Sequence, residues 1–410
     1  MKVEVCSVEN DRGLSRFFGF YVISSKHERI NRRAGCLEII LSSIMIKTIL
    51  LLAFVASTSA FVIPFKVHAA VTNITKGGQT LEQTSTFFVA NLTMGTPGQL
   101  FTVVIDTSTA DIVIPDMSCK TANNCYNKRR FNQAKSSSYY AYGNKYTYKN
   151  NLGTFQGFDA KDTVVIGDRK TDLITIPGVK FMQATDLGLL MDGLGADGIL
   201  GLGFTASSQI GGNSPFVQGV NAGDISGTFY SIWLEHFNQT DDLGTHGVIY
   251  YGGFDPVHCA PNPTYVPLAS AYAYQLTMSS FKVVGSSATN SNNKYIQTYL
   301  DTTTAQIGLP KTYISQVFDS LGISTNVMNA IYPTIVPCNT KITLTFGFVS
   351  GTTVSITERD LVISFFGTCR LQIIPTTDRI ILGLPLYRGR CTYFDPIMQR
   401  VGFTPALLQD

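Results

Sequence analysis

The chain has 410 residues, a formal net charge of +3 and only 14% charged residues, against 36 glycines, 26 phenylalanines and 19 tyrosines. That length suits two lobes rather than one core, and the apolar, aromatic-rich balance excludes a disordered chain. No basic block is long enough to hold nucleic acid.

Residues 1–44 carry mixed charge without a clear period and read as an over-extended N-terminus ahead of a true start at Met45. From there MIKTILLLAFVASTSAF has one lysine, an apolar run Ile49–Val55 and small residues ending at Ala60. This predicts a signal peptide over 45–60. A membrane anchor is the other reading, but the run is far shorter than the ~20 residues a spanning helix needs, so no stable membrane anchor is expected. Residues 1–60 hold eight of the 31 basic and five of the 28 acidic residues, leaving 23 of each. The mature protein is then near neutral and offers nothing to a charged partner. A short pro-like segment over 61–84 follows.

Beyond it, strands are predicted at 87–94, 101–106, 162–167, 247–253, 342–349 and 371–375, all β-branched or aromatic runs bounded by Gly, Pro and Asn. Helices are few, at 215–223 and 312–321, the second with Ile314, Val317, Phe318 and Leu321 on one face. The class is mainly β. Six cysteines follow the leader (Cys119, Cys125, Cys259, Cys338, Cys369 and Cys391), an even number that reads as three disulfides in a secreted chain. Zinc is the alternative, but no CxxC occurs and the five histidines are scattered, so neither metal nor cofactor is expected. Asn73, Asn91 and Asn238 open Asn-x-Thr triplets, glycosylation acceptors that agree with a secretory route.

The chain also repeats itself. DTSTADIVIP at Asp106 matches DTTTAQIGLP at Asp301, 195 positions on, and ILGL recurs at 199–202 and 381–384 after each copy. Two related lobes would each end a buried strand on an aspartate and lay a glycine-bearing segment beneath it, where Gly201 and Gly383 allow close backbone approach. Carboxylates brought to about 3 Å share one proton, and their pKa values split. The ionised member can then activate water while the neutral one donates to a carbonyl oxygen.

In these motifs, and in MGTPGQLFTVVID, ADGILGLGF, GVIYYGGFDPVHC and YFDPIMQRVGFTPA, the chain resembles the pepsin-like aspartic proteases, peptidase family A1, across about residues 85–408. The resemblance implies an all-β, bilobal fold, the double-ψ acid protease architecture, with lobes over 85–255 and 256–408 and a cleft between them. It implies a monomer acting on peptide or protein substrate in an extended conformation, in the secretory pathway with an extracellular or lysosomal destination. Asp106 and Asp301 would be the dyad, Thr107 and Thr302 the pair bonded across the axis, and Thr109 and Thr304 hydroxyls beside the carboxylates. A flap over 146–157 would carry Tyr148, and the cysteines would pair as Cys119–Cys125, Cys338–Cys369 and Cys259–Cys391.

The family's motif is Asp-Thr-Gly or Asp-Ser-Gly, and here Ser108 and Thr303 replace both glycines. A glycine-only backbone at these positions would leave strain of order 1–3 kcal/mol. Val113 stands where many relatives have the tryptophan that bonds the flap tyrosine, and Leu384 replaces an aspartate after the second ILG. Asp111, Asp116 and Asp197 read as turn or surface carboxylates, and Trp233 as lobe-core packing. The expected function is an aspartic endopeptidase. The alternative is a catalytically impaired relative that binds peptide without cutting it.

Overall fold

The structure is a computed structural model that describes residues 2–8, 17–22, 36–40, 78–84, 87–167, 173–236, 246–323, 333–365 and 367–407. The expected signal peptide, Asn73 and Asn238 lie outside these residues. The chain divides into two units, Met1–Ile63 and Pro64–Asp410. In the first, Lys2–Val8 pairs antiparallel with both Phe17–Val22 and Cys36–Ile40.

The second unit is mainly β, as its β-branched and aromatic runs predict, and is built on a 13-stranded and an 8-stranded sheet. The larger sheet contains Phe87–Met94, Gln99–Asp106, Gly198–Gly201 and Ile112–Pro115, then the long strands Ile174–Asp186, Gly153–Ile166 and Tyr140–Asn150. Its other end is made by strands distant in sequence: Tyr230–Leu234 pairs antiparallel with Arg390–Asp395, which pairs in turn with Arg400–Pro405. The smaller sheet centres on Gln275–Gly285, Ile296–Leu300, Ile380–Leu382 and Ile307–Pro310.

Both predicted helices form, at Pro215–Ala222 and Lys311–Leu321. Proline starts the first, where its missing N–H costs nothing, and Gly223 and Gly322 end the two in the left-handed conformation. The second buries Tyr313, Ile314, Val317 and Phe318 against the sheet, while Leu321 is only partly covered.

Some local expectations need correction. The strand expected at 371–375 is two strands, Thr368–Leu371 and Ile373–Thr376, in different sheets. Gln372 divides them because its N–H bonds the Leu361 carbonyl and its own carbonyl takes the Ile307 N–H. Trp233 does pack in a core, a second and smaller cluster, where it stacks on His258 at 4.1 Å beside Cys259 and Cys391.

Asp111, Asp116 and Asp197 are buried rather than on the surface. Each carboxylate accepts from donors around it: Asp111 takes Gln209 N–H and Ser208 Oγ, Asp116 takes Ser118 N–H and Gln183 Nε2, and Asp197 takes Thr102 and Arg129 N–H. Among the described residues three disulfides form, Cys119–Cys125, Cys259–Cys391 and Cys338–Cys369. Among the described residues no helix is long and apolar enough to cross a membrane.

Candidate active site

Val103, Val104 and Ile105 are buried in the sheet and carry the chain to Asp106, itself fully buried. The strand lies parallel to Gly198–Gly201, with Gly201 opposite Asp106. In the second half Ile296–Leu300 lies parallel to Ile380–Leu382 and delivers Asp301, 5% exposed. The expected close approach beneath each loop is present. A Cβ on Gly201 would lie 2.4 Å from Asp111 N, and one on Gly383 would lie 2.2 Å from the carbonyl oxygens of both Thr304 and Gln306. Side chains are therefore excluded at these two positions by backbone contact.

A strand can end on aspartate here because the carboxylate closes its own turn. Asp106 Oδ1 accepts Ser108 N–H at 2.7 Å, and Asp301 Oδ1 accepts Thr303 N–H at 2.8 Å. Oδ2 of each accepts a threonine hydroxyl, Thr109 or Thr304, at 2.9 Å.

The two loops are bonded to each other. Thr107 N–H donates to Thr302 Oγ1 at 3.1 Å and Thr302 N–H donates to Thr107 Oγ1 at 3.2 Å. Thr302 Oγ1 also donates to the Ile105 carbonyl at 2.7 Å. Thr107 and Thr302 thus join the halves beneath the carboxylates.

The residues in place of the motif glycines do not strain the backbone. Among the described residues the non-glycine positions with positive φ are Asn124, Asn127, Asn262 and Gln399, and neither Ser108 nor Thr303 is one of them. Each keeps its N–H on the carboxylate and adds a hydroxyl to the same oxygen, Ser108 Oγ to Asp106 Oδ1 at 2.6 Å and Thr303 Oγ1 to Asp301 Oδ1 at 2.7 Å. Such O–H···O⁻ bonds are short and strong. The change at both motifs is therefore electronic and steric at Oδ1, with the turn preserved.

Burial raises the Asp301 pKa to about 6, and the negative charge of Asp106 adds to the rise. The Thr303 hydroxyl and N–H, and then the Thr304 hydroxyl, hold it down. The reciprocal bonds between Thr107 and Thr302, each next in sequence to its aspartate, hold the two carboxylates close together.

Tyr148 lies on the hairpin formed by Tyr140–Asn150 and Gly153–Ile166 and is fully buried, with its ring edge-on to Phe155. Its hydroxyl pairs with Thr109 Oγ1 at 2.6 Å. With Val113 buried and apolar, this threonine supplies the partner that the absent tryptophan would have provided. Burial, reinforced by the Asp106 charge, keeps the phenol protonated well above its ordinary range.

Two residues without an assigned role in the sequence also reach the carboxylates. Asn150 Nδ2 donates to Asp106 Oδ2 at 3.1 Å, and Asn151 Nδ2 donates to Asp301 Oδ2 at 2.5 Å. Their only sequence signal is their place before a glycine at a hairpin tip. Asn91, the one glycosylation candidate within the described residues, is exposed on its strand. Among the described residues no group of three or more His, Cys, Asp or Glu side chains could hold a metal ion.

Comparison with known proteins agrees with this arrangement. The sequence model of the eukaryotic aspartyl protease family matches residues 87–406. The chain is 30% identical to aspartic protease 6 of Caenorhabditis elegans, over 78% of this chain and 82% of that protein. It is 25% identical to aspartic protease 2 of Necator americanus, over 77% and 82% of the two chains. With the probable vacuolar protease A of Trichophyton verrucosum it shares 29% identity, over 78% of each. Two aspartate turns bonded through paired threonines, a hairpin above them and a match across both halves lead to one assignment: the chain belongs to the eukaryotic aspartyl protease family.

Proposed function

We propose that the protein is an aspartic endopeptidase of the secretory pathway, with Asp106 and Asp301 as its catalytic pair. The observation that carries this reading is the reciprocal bonding of Thr107 and Thr302, which sets the two neighbouring aspartates into one buried site; the upward shift of the Asp301 pKa by burial and by the Asp106 charge agrees with a pair that shares one proton. Asp106 takes a proton from water as the water oxygen bonds to the substrate carbonyl carbon, and Asp301 gives its proton to the carbonyl oxygen, leaving a gem-diol. The C–N bond then breaks as the amine takes the proton from Asp106 and a gem-diol hydroxyl returns its proton to Asp301, which restores the dyad and forms the carboxylic acid. Thr109 and Thr304 hold the outer oxygens, and Tyr148 holds Thr109. Three disulfides support a secretory destination, extracellular or lysosomal.

The deciding experiment is hydrolysis of a quenched apolar peptide by purified protein from pH 3 to 7. Hydrolysis is expected on the acid side, falling as pH rises through about 6 when Asp301 loses its proton. A peptide containing statine, whose hydroxyl takes the place of the catalytic water, is expected to block it. Non-catalytic peptide binding is the second reading, favoured by the hydroxyls that Ser108 and Thr303 add at Oδ1. Statine peptide bound with no turnover anywhere in the pH range would establish that reading instead.

The Thr303 hydroxyl lowers the Asp301 pKa, so Thr303→Val, which keeps the N–H, is expected to raise it. The alkaline limb of the pH–rate profile should then move to higher pH. An unmoved or lowered limb would show that this hydroxyl does not act on the acid.

A further inference from the structure

The tip of the hairpin contacts the carboxylates with side chains of its own. Asn150 donates to Asp106 Oδ2, and Asn151 donates to Asp301 Oδ2 and lies 3.1 Å from Thr304 Oγ1. The Asn150 side-chain oxygen accepts Leu152 N–H at 2.9 Å, which holds the tip in this shape. Leu152 is fully buried, and its carbonyl accepts Leu190 N–H at 3.1 Å. Chain packs on chain here: a Cβ on Gly153 would lie 2.9 Å from Gly188 Cα, and one on Gly188 would lie 2.5 Å from Leu152 O.

A second fastening lies one residue earlier. The exposed side chain of Gln209 bridges the hairpin edge as a strand would, with Oε1 accepting Lys149 N–H at 2.9 Å and Nε2 donating to Lys149 O at 2.6 Å. Gln209 is itself anchored, since its N–H donates to buried Asp111 Oδ2 at 2.6 Å.

We propose that this hairpin is an internal blocking group: Asn150 and Asn151 occupy the dyad that a peptide substrate must reach, and Gln209 latches the hairpin in that position. This rests on the reading of Asp106 and Asp301 as the catalytic pair. A side-chain amide is the nearest protein equivalent of a peptide bond, so each asparagine presents to a carboxylate the kind of group the site would bind. Its N–H donors favour the ionised carboxylate, and Asn151 takes the Asp301 oxygen that would have to deliver a proton. Substrate therefore competes with the chain's own flap, and apparent affinity is reduced by the fraction of molecules held shut.

The test is binding of a statine-containing peptide, measured by calorimetry on wild type, Asn151→Ala and Gln209→Ala. Both side chains are exposed enough to be changed without loss of the fold, and Gln209→Ala touches neither carboxylate. Each variant is expected to bind about tenfold tighter, and faster, than wild type. If both remain folded and bind no tighter, or more weakly, the proposal is overturned, and the asparagines are binding or structural groups. Should Asn151→Ala not fold, Gln209→Ala alone decides. The readout is independent of turnover. Tighter binding without peptide cleavage leaves the block standing and removes the endopeptidase reading. Asp106-dependent cleavage with unchanged binding does the reverse.

Discussion

Asp301→Asn is expected to lower kcat/KM by about 10⁴-fold or more, because removing one member of a catalytic unit costs nearly as much as removing the whole unit. The same loss is expected for Asp106→Asn. The fold should survive at position 301. The amide oxygen can still accept Thr303 N–H, and the amide nitrogen can face the Thr304 hydroxyl and a turned Asn151 side chain, both able to accept.

Stability supplies a second readout with a definite sign. Asp301 has a folded-state pKa of about 6 against 3.8 for an ordinary aspartate, so the folded state binds the extra proton between those values. Wild-type stability attributable to this group therefore falls as pH rises from about 4 to about 6. Asparagine carries no charge to bury, so the variant should be more stable than wild type at pH 7. The difference should vanish near pH 3.5. Melting temperatures of both proteins across this range would show it. A variant less stable than wild type at neutral pH would mean that the buried charge of Asp301 is not a penalty.

Gly383→Ala is expected to destabilise the protein by more than about 3 kcal/mol, since the added carbon meets two carbonyl oxygens rather than flexible side chains. Relief requires the Thr304–Gln306 segment to move, and Thr304 holds the outer oxygen of Asp301. The variant should therefore lose its site even where it still folds. Denaturant midpoints and statine-peptide affinity measure the two effects separately. A variant with an unchanged midpoint and unchanged affinity would refute the view that the second ILG segment is pressed against the site.

Much of this was legible in the sequence because it depends on local rules applied twice. An apolar run ending in Asp-Thr, with a hydrophobic-hydrophobic-Gly segment after it, specifies a buried strand, a carboxylate-closed turn and a tight parallel neighbour, and all three are present at Asp106 and Asp301. Whether Ser108 and Thr303 strain their turns was not legible, because backbone angles follow from the turn and not from the residue name. Their angles are unstrained, and the added hydroxyls fold back on the carboxylates. The reach of Asn151 to Asp301, across 150 positions, has no local pattern either. Asp111, Asp116 and Asp197, read as turn or surface carboxylates, are buried for a related reason. A carboxylate that also accepts from donors far along the chain looks in sequence like any turn aspartate.

The pairing of Tyr230–Leu234 with Arg390–Asp395 has a consequence for synthesis. The large sheet is begun by the first half of the chain and finished by strands near its end, with Cys259–Cys391 joining the same regions. While the polypeptide is still emerging, Tyr230–Leu234 is an open edge of five buried-type residues with no neighbour on that side. The site's first aspartate is made early, but its sheet closes only after residue 395 has left the ribosome. A product truncated before Arg390 would retain Asp106, Asp301 and both threonines, and would still carry an unpaired edge suited to self-association instead of a finished cleft.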